Sequence, residues 1–139
     1  MRLVIDTNIF ISALLAETSL PAHLVVLWRD GRFDLLTSID QLDELRRVTR
    51  YPKIRERLAP ALAGRLINEV RDLAVLVRDL PVATASADPN DNYLLSMAAA
   101  GSADFLVTGD KRDLLSLTVY KGTRIITVRD FLLMYRRLP

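Results

Sequence analysis

The sequence predicts an α/β domain whose mostly parallel sheet is covered by helices on both faces. Two observations carry this expectation. Short β-prone runs alternate along the chain with longer stretches of helical periodicity. The chain has 139 residues and 50% of them are hydrophobic, which is enough for one core. Residues 1–139 are therefore expected to form one domain, with no internal repeat.

Taken in order, the β-prone runs are residues 3–5, 33–36, 105–107 and 124–128. Between the first two lies an apolar helical stretch in which Leu24, Val25 and Trp28 read as core. After the second, Ser38 and Gln41 have the spacing of a capping box and open a helix to about residue 48. Leu42, Leu45 and Val48 share one face of it. The longest helical candidate spans residues 58–77, where Leu58, Leu62, Leu66, Val70, Leu73 and Val77 recur at spacings of three and four, with Gly64 weakening it slightly. Residues 81–87 read as a linker. Asp88-Pro89-Asn90-Asp91 combines a cap, a proline at the first helical position and an acid in the first turn. The helix it starts should run to about Ala100, with Gly101 ending it. Thr127 and Asp130 bracket the start of a last helix that closes near Arg136 and Arg137.

Composition removes several chemistries. With no cysteine there are no disulfides, thiolate metal sites or cysteine nucleophiles. His23 is the single histidine, and a Ser-His-Asp triad would have to use it; no nucleophile motif lies nearby. Gly109 and Gly122 form no phosphate-cradling loop, and Trp28 and the tyrosines do not interleave with basic residues as a stacking platform would. There is no secretory h-region and no apolar run near the roughly 20 residues that span a bilayer. A cytoplasmic protein without membrane contact is the expectation. The net charge of +2 hides two basic groups, one made of Arg46, Arg47, Arg50, Lys53, Arg55, Arg57 and Arg65, the other of Arg129, Arg136 and Arg137. They could meet phosphates, or they could be solvated helix faces.

Four acids stand out by position. Asp6 follows the first strand, Glu44 lies early in the helix after the second, Asp91 lies in the first turn of a later helix, and Asp110 follows the strand at 105–107 after Thr108 and Gly109. In an open parallel sheet, strand C-termini and helix N-termini share one edge, and ligands bind there where the strand order reverses. Carboxylates crowded on such an edge repel one another unless cations compensate, and an oxygen-only donor set without His or Cys suits Mg²⁺ or Mn²⁺. Each acid also has a plainer reading as a turn, cap or solvated helix residue. For Asp88 and Asp113 the cap or turn reading is preferred.

Asp6-Thr7-Asn8, Ser38 with Glu44 six residues on, Asp88-Pro89-Asn90-Asp91-Asn92 and Thr108-Gly109-Asp110-Lys111 occur in an order and spacing that resembles the PIN-domain family, and within it the VapC-like toxin components of toxin–antitoxin systems. The resemblance covers nearly the whole chain. It implies a three-layer α/β/α sandwich with a central, mostly parallel sheet, and a Mg²⁺- or Mn²⁺-dependent ribonuclease. Asp6, Glu44, Asp91 and Asp110 fall on the family's metal-binding, catalytic acids, and Asn8 and Thr108 on its polar supporting positions. Asp113 fits less well: where many relatives carry an acid this chain has Arg112, which leaves Asp113 as a supporting residue. Val128 stands where relatives often carry proline. RNA as substrate, an antitoxin protein as partner and a homodimer are the further implications. The rival readings are a nucleic-acid- or protein-binding module without catalysis, and a receiver-like signalling domain. Against the latter, Asp6 is followed by Thr7 and not by a second acid.

Overall fold

The computed structural model describes residues 1–109 and 111–138. Among them the chain runs β1 (Arg2–Ile5), α1 (Thr7–Leu15), α2 (Leu20–Arg29), β2 (Asp34–Thr37), α3 (Ile39–Val48), α4 (Pro52–Arg55), α5 (Pro60–Leu73) and β3 (Val75–Leu76). A 3₁₀ turn (Pro89–Asp91) then leads into α6 (Asn92–Ala100), followed by β4 (Phe105–Thr108), α7 (Arg112–Leu115), β5 (Val119–Tyr120), β6 (Thr123–Thr127) and α8 (Val128–Tyr135). The strands form one sheet of order β3-β2-β1-β4-β6-β5. Every pairing is parallel except β5 with β6.

The two-residue period of the strands sorts their side chains into two cores. Leu3, Ile5, Leu35, Val107 and Ile126 pack on one face against Phe10, Leu24, Trp28, Leu45, Leu66 and Phe131 from the α1, α2, α3, α5 and α8 helices. Their strand neighbours Val4, Leu36, Leu106 and Ile125 pack on the other against Leu94, Leu95 and Met97 of α6 and Leu114 of α7. Both faces of the sheet are therefore apolar and covered, the three-layer arrangement that parallel strands require. Phe131 anchors the first core, with the rings of Phe33 and Phe105 edge-on at 6.1 and 5.6 Å between centroids.

The expected N-cap residues cap their turns. The hydroxyls of Ser38 and Thr127 accept hydrogen bonds from the backbone N–H groups of Gln41 and Asp130, and the Asp88 carboxylate accepts from that of Asn90. One expectation is corrected. The helix expected over 58–77 occupies only Pro60–Leu73: Pro60 sits in its first turn, where its missing N–H costs nothing, and Ala74 is extended, so Val75 and Leu76 leave the helix to pair with Leu36 and Thr37. Gly101 ends α6 as expected, with φ −92 and ψ 1; the positive φ falls on Ser102. Among the described residues, no single helix is long and apolar enough to cross a membrane.

Gly101 is needed for space and not for backbone freedom. A Cβ there would lie 2.5 Å from Leu36 Cδ1 and 3.2 Å from Val77 Cγ2. Gly101→Ala should therefore destabilise the protein by about 1–3 kcal/mol, the usual scale of overpacking. Denaturant unfolding measures this, and an unchanged midpoint would mean that Leu36 turns aside without cost.

Candidate active site

The sheet reverses its order of succession between β1 and β4, so the crevice at their C-terminal ends is where a ligand site belongs. Asp6 leaves β1 at that point. Its backbone N–H donates to Val107 O across the pair at 2.9 Å, and its Oδ2 accepts from the Thr108 hydroxyl, also at 2.9 Å. Asp6 stands at the N-cap position of α1, yet its carboxylate turns to β4 instead of capping that helix. It is 1% exposed, and Thr108 is fully buried.

Asp91 reaches the same crevice from the opposite face. The Asp88-capped 3₁₀ turn sets it just before α6, and it is 4% exposed. Lys111, from the loop after β4, lies between the two acids. Its Nζ donates to Asp91 Oδ1 at 2.8 Å and stands 3.2 Å from Asp6 Oδ2 and 3.4 Å from Asp6 Oδ1. Burial raises the Asp91 carboxyl above its ordinary range, although Lys111 pulls it back. Burial also opposes the charge on Lys111, but the two carboxylates outweigh it and its pKa is raised.

Glu44 joins through a relay. The Tyr93 hydroxyl donates to Glu44 Oε1 at 2.8 Å, and the Thr7 hydroxyl, 3.1 Å away, supplies the proton that Tyr93 then accepts. Tyr93 is held neutral, its pKa raised chiefly by burial. Arg47 approaches the other oxygen of Glu44 at 3.7 Å. Beside this relay opens a cavity of about 340 Å³ lined by Asp40, Asp43, Glu44, Arg47, Asn90 and Tyr93. On another flank of α3, Arg46, Arg50 and Arg55 border a cavity of about 210 Å³.

The structure thus brings Asp6, Asp91 and Thr108 together directly, and Glu44 through Tyr93 and Thr7. Asn8 on α1 and Asp113 on α7 are exposed. Asp110 lies outside the described residues. Among the described residues, no three His, Cys, Asp or Glu side chains converge closely enough to hold a metal ion. The donor set nonetheless suits a hard cation, because two buried carboxylates already share one positively charged group. Sequence reasoning missed Tyr93 and Lys111. Lys111 was visible as the residue after Asp110; Tyr93 carried no local signal.

Gln41 shows why the strand end is rigid. Its side chain does not close the expected capping box. Its Nε2 donates to Ile5 O at 2.7 Å and its Oε1 accepts from the Thr37 hydroxyl at 2.9 Å, all buried. This ties β1, β2 and α3 together one residue before Asp6. Gln41→Leu would leave a buried carbonyl and a buried hydroxyl without these partners, each costing about 1–3 kcal/mol. A fall in thermal stability of that order is expected, and a variant as stable as the wild type would show that the tie is dispensable.

Comparison with known proteins adds two findings. A family model described as PIN domain matches residues 2–112. An uncharacterized protein of Methanocaldococcus jannaschii, MJ1680, is 29% identical over 118 residues, which cover 84% of this chain and 75% of that protein.

Proposed function

The chain belongs to the PIN-domain family, whose members are generally nucleases, and from that premise we propose that it is a metal-dependent endoribonuclease hydrolysing RNA phosphodiester bonds. The observation that carries this reading is the convergence of two buried carboxylates, Asp6 and Asp91, on one cationic group at the switch point of the sheet. Asp6, Glu44, Asp91 and Asp110 are proposed to hold Mg²⁺ or Mn²⁺ and to act as the catalytic acids. When bound, the metal supplies Lewis-acid compensation of the charge that develops on the phosphodiester.

The chain's own residues do the rest. Thr108 orients Asp6 by its hydrogen bond to Oδ2, and Tyr93 fixes the rotamer of Glu44 from Oε1. Asp91 or Asp110 is proposed to help orient or deprotonate an attacking water. Arg47, exposed beside Glu44, and the Arg46, Arg50 and Arg55 group farther along α3 and α4 are placed to meet flanking phosphates of a bound strand. Asn8 and Asp113, both exposed, are assigned only supporting parts.

The biological reading proposed with this chemistry is the toxin component of a toxin–antitoxin pair, a single nuclease domain acting on RNA in the cytoplasm. Exposed Val26 and Leu62 border a cavity of about 420 Å³ between α1, α2 and α5, and this surface supports association with an antitoxin or with a second copy as a homodimer.

Asp6→Asn keeps the shape of the side chain and should keep the fold, yet lower RNA cleavage by about 10²-fold or more, the scale of losing one group that stabilises transition-state charge. Wild-type cleavage should stop in EDTA and return with Mg²⁺ or Mn²⁺. Cleavage that continues undiminished in EDTA would overturn the metal-dependent reading.

Asp88 and Asp91 separate a cap from a working acid. Asp88→Asn retains capping ability and should keep most of the activity. Asp91→Asn should lose it. Assays of the two purified variants on the same RNA decide the matter, and equal activities would contradict the assignment.

A further inference from the structure

Lys111 has no part in the chemistry described so far, yet it occupies the centre of the site. Two carboxylates as buried as Asp6 and Asp91 require a positive partner. The Lys111 ammonium meets that need in the metal-free protein, at 2.8 Å from Asp91 and 3.2 Å from Asp6. A divalent ion held by Asp6 and Asp91 would draw on the carboxylates that the ammonium now engages. Mg²⁺ bonds carboxylate oxygen at about 2.0–2.1 Å and would carry two charges to the ammonium's one. Ion and ammonium would repel each other and compete for the same lone pairs. The lysine also has somewhere to go. Its side chain is 33% exposed and its charge rides on a flexible four-carbon stem.

We propose that Lys111 is a tethered placeholder cation: it holds the Asp6–Asp91 pair together in the metal-free protein and is displaced toward solvent when a divalent ion binds. This rests on the reading of the acids as metal ligands. It assigns the lysine an effect opposite in sign to that of an ordinary supporting residue. Removing a supporting residue weakens metal binding, whereas removing a competitor strengthens it.

The test uses Lys111→Met, which keeps the length and apolar stem of the side chain without its charge, and Lys111→Arg, which keeps the charge. Mn²⁺ is titrated into each full-length protein and followed by electron paramagnetic resonance, with thermal melts in EDTA and in Mn²⁺. The methionine variant should bind Mn²⁺ on the order of fivefold or more tightly than wild type, the lower end of typical coupling between competing sites. It should melt earlier in EDTA and gain more on adding Mn²⁺. The arginine variant should stay near wild type. If Lys111→Met does not fold, Lys111→Gln, which keeps one donor toward Asp91, replaces it with the same expectation. Mn²⁺ affinity unchanged or weakened in the uncharged variant overturns the placeholder role while leaving the metal site in place. Failure of both wild type and the uncharged variant to bind Mn²⁺ overturns the metal reading itself, and this proposal with it. Binding by the uncharged variant alone supports both.

Discussion

The pairing of β1 with β4 is the constraint on which the site depends. Strands succeed one another outward from β1 through β2 to β3, and the chain then returns to place β4 on the other side of β1. That return leaves the ends of β1 and β4 adjacent, with the helices that follow them diverging. Asp6 stands in the gap, tied by its N–H to Val107 and by its carboxylate to Thr108. The buried core on both faces makes this register hard to change. A slip of one residue along β1 would exchange Leu3 and Ile5 with Val4 between two packed interiors. The position of one carboxylate is thus secured by hydrophobic packing throughout the sheet.

Charge then organises what packing has placed. The crevice gathers Asp6 and Asp91 at positions where neither keeps ordinary solvation, and the structure answers with Lys111 from the adjoining loop. Glu44, farther out and on a helix, is held by the neutral hydroxyl of Tyr93, itself bonded to Thr7, with Arg47 at 3.7 Å from its other oxygen. The two desolvated acids share one ammonium, and the more exposed one combines a hydrogen bond from Tyr93 with a looser approach of Arg47.

Much of this was legible in the sequence, for reasons that differ between residues. Strands β1, β2, β4 and β6 were visible because they are apolar runs bounded by polar turns. Strands β3 and β5 were not, because two residues carry no periodicity. The extent of α5 was misjudged because Val77 continues its spacing by coincidence, while the signal that mattered was Pro60 at its start. Asp6 and Asp91 could be placed on one edge by topology alone. The link from Tyr93 to Glu44 and Thr7 could not, since it joins residues 49 and 86 positions apart and depends on side-chain direction. Gln41 matched a local capping pattern but was claimed by the Ile5 carbonyl, a stronger and non-local demand. Gly101 was expected to end α6 and does so; that its small size is also required depends on Leu36 and Val77, which no local pattern shows.

The sheet ends on both sides in strands of two residues, Val75–Leu76 and Val119–Tyr120. A border so short presents few open amide and carbonyl groups, and it gives a passing extended segment almost nothing to zip onto. The protein is thereby protected against growth by strand addition, the usual route from a parallel sheet to fibrous aggregate. Any docking chain would have to meet side chains on the outer helices, where shape and sequence, and not generic backbone pairing, decide the fit.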